Sequence, residues 1–316
     1  MATCRKLTKQ LMKELLDSID TILLDCDGVL WHSNIAVPGA AETINKLRSM
    51  MYTCHFSFLQ GKQPIFVTNN STKSRLQYQE KFTKMGFIVS KDEIFGTAYC
   101  AALYLKHKLN FTGKVYLMGM SGLEEEMKLH GIDYIGTGPD NVEGQILDHR
   151  ADNVVLDPDV NGVVVGFDQY FSFMKLLKAA SYLKRPNSVF IGTNIDQQFP
   201  MRNSELIMPG TGSLVRPVEV ASNRTATTLG KPSKFMFECI QEKFDVNPER
   251  TIMIGDRLNT DILLGKNCGL KTLAVLTGVT SEEEILGYQG SEKEKERELV
   301  PDLYIESIGH LGKLLD

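Results

Sequence analysis

No apolar run in this chain approaches the roughly 20 residues that a membrane-spanning helix requires, so no lipid-embedded segment is expected. Cysteine is sparse. The six at positions 4, 26, 54, 100, 239 and 268 include no C-x-x-C pair. That removes the usual zinc-site and disulfide-framework patterns and leaves reduced thiols as the expectation. Neither sign of charge dominates: 35 Lys and Arg face 39 Asp and Glu, a formal net charge of -4. Such a balance gives no electrostatic reason to expect nucleic acid or a membrane surface as partner. A secretory signal core is missing as well, because "MATCRKLTKQLMKELLDSID" carries a charge every few residues and reads as a short amphipathic helix. The expectation is a cytoplasmic protein, and under it the sequons at Asn110 and Asn223 are chance matches. No internal repeat is visible.

What is present is ordinary for a soluble globular chain, with 42% hydrophobic and 23% charged residues. At 316 residues the length suits two domains or one elaborated domain. Short aliphatic or β-branched runs at 21–25, 64–68, 114–118, 162–167, 189–193, 251–255, 272–276 and 303–305 read as strands. Helix-length amphipathic segments fit between them at 39–50, 73–85, 98–108, 123–130, 171–183, 212–221, 233–244 and 260–267. This alternation predicts βαβ units: a doubly wound α/β fold with parallel sheets covered on both faces. The middle third is rich in loop punctuation around its own strands. It reads as an α/β domain, 110–224, inserted into a discontinuous core of 1–109 and 225–316. The charge run 290–299 reads as a solvated face.

Four polar clusters each follow a strand or open a helix: Asp25-Cys26-Asp27-Gly28, Thr68-Asn69-Asn70-Ser71, Gly230-Lys231-Pro232-Ser233, and Asp256 with Asp261. In an open parallel sheet, ligands sit beyond the carboxyl ends of the strands, so the clusters converge on one crevice. Gathering Asp25, Asp27 and Asp256 there is costly, since each like-charge pair at 4 Å costs about 4 kcal/mol at an effective dielectric near 20. Protonation or a divalent cation relieves that cost, and an all-oxygen donor set points to Mg²⁺. Thr68, Asn69, Asn70 and Gly28 offer hydroxyl and amide donors. Pro232 suits a first helical position and would set Lys231 at a helix N-terminus. Donors, lysine and Mg²⁺ together describe a receptor for a phosphoryl group. Asp25 can then attack phosphorus, while Asp27, on the same side of the strand, protonates the leaving alkoxide and later accepts a proton from water.

Singly, each cluster is an ordinary turn or helix cap. Asp261 fits a supporting partner or a first-turn helix residue as well as a metal ligand. Cys26 reads as a small buried hydrophobe, and Trp31 and His32 as packing residues. In this order, each beyond a strand, the clusters are not a coincidence.

"DCDGVLW", "VTNNS", "GKPS" and "GDRLNTDI" together resemble the four motifs of haloacid dehalogenase-type phosphatases. With "GTAYC", "VVGFD", "GTNID", "GTGS", "GLKT" and "LTGV" the chain is similar to the eukaryotic phosphoglycolate / p-nitrophenyl phosphatase branch, which includes pyridoxal phosphatases. The resemblance implies a Rossmann-like core, a cap inserted between the second and third motifs, a Mg²⁺ requirement, phosphomonoester hydrolysis, and homodimers formed through the cap. By position it implies Asp25 as nucleophile and Asp27 as acid/base whose backbone carbonyl also reaches Mg²⁺. Thr68 and Asn69 become phosphate binders, Lys231 the neutralising lysine and Asp256 the remaining carboxylate ligand.

Phe167 in "GFD" and the loop "DQQFP" (196–200) stand where pyridoxal phosphatases tend to carry Tyr and His. Small phosphorylated acids or alcohols, 2-phosphoglycolate or glycerol 3-phosphate, are therefore expected as substrates, with pyridoxal 5'-phosphate as the alternative. Asn194 and Asp196 are candidates for reaching into the site, with an Asx turn as the equal alternative. One departure is "MYTCHFSFLQ" (51–60), about ten residues longer than the family's linker and expected to be a flexible loop. A phospho-accepting receiver protein also uses clustered Asp, Thr and Lys. It has no acid/base two residues after its acceptor and no long insertion, and a catalytically idle scaffold would not need both Asp25 and Asp27.

Overall fold

The computed structural model describes residues 3–50, 62–140, 154–199 and 205–315, and the 51–60 segment lies outside these described residues. In chain order the strands are β1 (Arg5–Lys6), β2 (Thr21–Leu24), β3 (Trp31–His32), β4 (Ile35–Ala36), β5 (Gln63–Thr68), β6 (Ile94–Gly96), β7 (Lys114–Met118), β8 (Asp133–Ile135), β9 (Val160–Val165), β10 (Val189–Gly192), β11 (Gln198–Phe199), β12 (Met208–Pro209), β13 (Thr227–Thr228), β14 (Thr251–Gly255), β15 (Lys271–Val275) and β16 (Leu303–Ile305). All eight runs expected as strands form one. The unexpected strands are two or three residues long, too short for any periodicity to register.

Two compact units emerge: Met1–Thr68, Tyr78–Phe95 and Lys231–Asp316 in the first, Asn69–Gln77 and Gly96–Gly230 in the second. Residues 69–77, 96–109 and 225–230, expected with the outer core, group with the second unit. Part of the reason is Glu126: fully buried, it accepts hydrogen bonds from the backbone N–H and the Nε of Arg75 at 2.9 and 3.0 Å.

The first unit holds a sheet in the order β1-β16-β15-β14-β2-β5-β6. Central β2 is wholly buried and pairs in parallel with β14 on one side and β5 on the other, Ile22 lying opposite both Ile252 and Pro64. Apart from β1 at one edge, chain order runs outward from β2 in both directions. The loops leaving the carboxyl ends of β2 and β14 therefore diverge, and that is where this fold binds ligands. One core cluster joins Met12, Leu15, Leu24, Ile44, Leu47, Phe66, Ile308 and Leu311; a second joins Leu258, Ile262, Ala274, Ile285 and Tyr304. The expected N-terminal amphipathic helix is Lys9–Ser18, with Met12 and Leu15 buried and Thr8 as its cap. The 290–299 run holds a short solvated helix, Glu294–Glu298.

Two helices start differently from expectation. The one expected at 233–244 is Phe235–Lys243 with Lys234 as N-cap, so Pro232 is not a first helical residue; the Lys231-Pro232 bond is cis. The one expected at 260–267 begins as a wide turn, Leu258–Ile262, and continues as Leu263–Asn267.

The second unit has its own parallel sheet, β13-β10-β9-β7-β8, and an antiparallel pair of β11 with β12. Its core gathers Tyr116, Met118, Val163, Val165, Ala179, Tyr182 and Val215. Among the described residues, no helix is long and apolar enough to cross a membrane.

Candidate active site

β2 stops at Leu24, and the next residue, Asp25, donates its N–H to the Ile254 carbonyl at 2.9 Å. That bond holds Asp25 beside the end of β14, whose next residue past Gly255 is Asp256. Asp25, Asp256 and Asp261 are all buried, and one carboxylate oxygen from each lies within 4.8 Å of the others. Lys231, 1% exposed, sits among them. Its Nζ is 2.5 Å from Asp25 Oδ1 and 2.7 Å from Asp261 Oδ1, and it donates to the Val67 carbonyl at 3.2 Å. Asp261 returns to the strand end through the Leu258–Ile262 turn, where its Oδ2 accepts the Arg257 N–H at 3.0 Å. Gly255 makes room for it: a Cβ at 255 would lie 2.1 Å from that of Asp261.

One lysine against three carboxylates leaves a formal deficit of two positive charges. Burial pushes the Asp25 carboxyl well above its usual range; Lys231 opposes the shift, and Asp261 and Asp256 add to it. Burial and then Asp261 raise Asp256 to about 6, against the Val279 N–H bond to its Oδ2 at 2.8 Å. Burial works against the charge on Lys231, but Asp25 and Asp261 outweigh it and hold the ammonium above its ordinary range. Hydrogen bonds engage Asp25 Oδ1, Asp256 Oδ2 and Asp261 Oδ2, while buried Asp261 Oδ1 has the ion pair with Lys231 and no hydrogen bond. The second oxygens of Asp25 and Asp256 remain as hard donors, the kind a divalent cation takes.

Asp27 is the correction. Its carboxylate was expected beside those of Asp25 and Asp256, and Asp261 takes that place. The Cys26 carbonyl accepts the N–H groups of Val29, Leu30 and Trp31, so the chain turns as it leaves the strand. Asp27 Oδ1 instead accepts the Trp31 indole N–H at 2.9 Å. Trp31 is fully buried and packs edge-on to Phe82, and Cys26 is buried too, both as expected. Gly28 follows with φ +91°, and a Cβ there would meet Asp256 Oδ2 at 2.6 Å. Thr68 ends β5 and is buried.

The other candidates belong to the second unit. Asn69 Nδ2 donates to Asp196 Oδ2 at 3.1 Å, and Asn194 Nδ2 donates to the same oxygen at 2.8 Å. Asn194 and Asp196 therefore form a network with the residue that follows Thr68. Asn70 Oδ1 accepts from the backbone and hydroxyl of Thr72, so its side chain closes a turn. Phe167 meets Phe199 edge-on at 5.1 Å.

Sequence reasoning left the role of Asp261 open and passed over the Val279 N–H. The spacing in "GDRLNTDI" was a signal for Asp261; a backbone donor has no side-chain signature to find.

Fold and site together define a doubly wound α/β enzyme built around a buried carboxylate cluster with one lysine. Residues 22–133 match a haloacid dehalogenase-like hydrolase family model, and residues 228–308 match a second HAD-hydrolase-like model. Glycerol-3-phosphate phosphatase of Mus musculus is 46% identical over 98% of this chain and 95% of its own length. Chronophin of Mus musculus is 37% identical over the whole of both chains, 100% of each. The crystal structure of 4-nitrophenylphosphatase from Thermotoga maritima superimposes with a TM-score of 0.74 at 28% identity, covering 95% of this chain and 98% of that one. The chain belongs to the haloacid dehalogenase-like hydrolases, and within them it is a phosphatase.

Proposed function

We propose that this phosphatase hydrolyses small phosphorylated metabolites, glycerol 3-phosphate first and 2-phosphoglycolate next, through an aspartyl-phosphate on Asp25. The observation that carries the chemistry is the contact of Lys231 Nζ with Asp25 Oδ1 inside a cluster that holds two further buried carboxylates. The choice of glycerol 3-phosphate rests on the 46% identity to the mouse glycerol-3-phosphate phosphatase.

In the first step a carboxylate oxygen of Asp25 attacks phosphorus and the bond to the alkoxide oxygen breaks. Asp27, protonated at that point, gives its proton to the leaving alkoxide. In the second step Asp27 takes a proton from water, the water oxygen attacks the same phosphorus, and inorganic phosphate leaves Asp25. The Trp31 indole holds the Asp27 carboxylate in one orientation through both steps. Lys231, fixed by Asp25 and Asp261, supplies positive charge toward the phosphoryl oxygens, and Thr68 and the Asn69 backbone supply donors. Mg²⁺, held by Asp25 and Asp256 with the Asp27 carbonyl, would neutralise the remaining negative charge when bound.

The test is a kcat/KM panel with Mg²⁺ over glycerol 3-phosphate, 2-phosphoglycolate, pyridoxal phosphate and p-nitrophenyl phosphate, with and without EDTA. Glycerol 3-phosphate is expected to lead the metabolites, and chelation to remove all turnover. Preference for pyridoxal phosphate would overturn the substrate, and activity indifferent to EDTA would overturn the cation.

A further inference from the structure

Asp256 is clasped by a loop that belongs to none of the four motifs. β15 lies beside β14, and the residues just past its end, 277–280, run alongside the Asp256 carboxylate. The Val279 N–H donates to Asp256 Oδ2 at 2.8 Å, and the Thr280 N–H donates to the Asp256 carbonyl at 3.1 Å. Gly278 is the point of closest approach: a Cβ there would lie 1.7 Å from Asp256 Oδ2 and 2.2 Å from its Cγ. Gly28 crowds the same carboxylate, its ideal Cβ 2.6 Å from Oδ2. The Thr277 hydroxyl then donates to the Gly28 carbonyl at 2.6 Å. One side chain thus ties the loop that carries Asp25 and Asp27 to the loop that orients Asp256.

We propose that the 277–280 loop sets the cation affinity of the site, with Thr277 as its positioning residue and Gly278 as the spacer that allows the contact. The inference rests on the cation assigned under the proposed function. A small divalent ion demands near-ideal geometry from few carboxylates, so a carboxylate free to rotate binds it poorly. Val279 occupies one oxygen of Asp256 and thereby fixes the plane in which the other is offered. Thr277 keeps the two loops in register. Groups that hold a ligand's far side typically matter by about 10–100-fold in metal affinity.

The experiment measures Mn²⁺ binding to the substrate-free enzyme by electron paramagnetic resonance, alongside the Mg²⁺ concentration giving half-maximal hydrolysis and the metal-free unfolding temperature. Thr277→Val is expected to weaken Mn²⁺ binding about tenfold and Gly278→Ala by more, while Thr277→Ser stays near wild type. At saturating Mg²⁺, kcat of Thr277→Val should stay within about threefold of wild type, since the loop touches no reacting atom. Wild-type Mn²⁺ affinity in both Thr277→Val and Gly278→Ala overturns the inference, as does equal weakening in Thr277→Ser and Thr277→Val. If Gly278→Ala fails to fold, the Val–Ser comparison at 277 decides alone. A wild-type enzyme that binds no Mn²⁺ removes the cation of the proposed function itself, an outcome distinct from unaltered variants of a protein that does bind it.

Discussion

Each unit buries a lysine against an aspartate at the same distance, yet the two sites differ in kind. In the second unit Lys175 Nζ lies 2.5 Å from Asp168 Oδ2, both side chains fully buried, and Asp168 Oδ1 accepts the Tyr170 N–H. One charge meets one charge, and the pair joins the segment after β9 to the helix Phe173–Leu183. In the first unit Lys231 approaches Asp25 at the same 2.5 Å but meets Asp261 as well, with Asp256 beside them. There the charges do not close. Burial of an ion pair is therefore no marker of chemistry, because a balanced pair serves to hold elements together. The marker is the imbalance, which protonation or a bound cation must relieve.

Replacing charges one at a time sharpens this contrast. Asp25→Asn should lower kcat on p-nitrophenyl phosphate by at least about a thousandfold, the cost of losing a nucleophile. Thermal unfolding of that variant should not show a loss of stability, since it relieves a surplus negative charge. In the balanced site the opposite holds: Asp168→Ala strands Lys175 and should cost about 3–5 kcal/mol in urea denaturation. The double variant Asp168→Leu/Lys175→Met should recover most of that; if it does not, the pair is more than a pin.

Mg²⁺ offers a third comparison. At about 100 times its dissociation constant it should stabilise the wild-type protein by about 2.7 kcal/mol, and EDTA should remove that gain. Asp256→Asn should abolish it, and the Asp168→Leu/Lys175→Met variant should retain it.

A smaller effect is expected at Asn69, inside the second unit. Asp196→Ala removes the acceptor shared by Asn69 and Asn194. Loss of a hydrogen bond of about 1 kcal/mol should raise KM for glycerol 3-phosphate about fivefold with kcat little changed. The smallest effect belongs to a surface pair. The Arg250 guanidinium, hydrogen-bonded to Asp20, holds that carboxyl below its ordinary 3.8. A depressed carboxylate contributes stability above its unfolded value and loses it as the pH falls through the folded value. Asp20→Asn should therefore be slightly less stable than wild type at pH 7 and converge with it once the pH has fallen through the depressed folded value, a difference read by acid titration of unfolding.

How far the chain alone carried the argument can be seen at particular residues. The 21–25 and 251–255 runs were legible as buried strands because they are short, apolar and followed at once by acids. The placement of Asp25 and Asp256 beyond strand ends followed from that. The place of the Asp27 carboxylate, outside the group of Asp25, Asp256 and Asp261, was misjudged, because side-chain alternation holds only while the chain remains a strand, and here it turns at Cys26. Lys231 was expected at a helix N-terminus; the helix begins four residues later, and three oxygens, from Asp25, Asp261 and Val67, fix the ammonium instead.

By itself, then, the sequence determined which residue types leave which strands, since period and polarity are properties of neighbours along the chain. Which carboxylates share one volume, which lysine is balanced and which is not, and which backbone N–H steadies Asp256 were decided only in three dimensions. Those outcomes depend on β2 and β14 lying side by side although more than 200 residues separate them in the chain. Coulomb forces act across that short distance and take no account of separation along the chain.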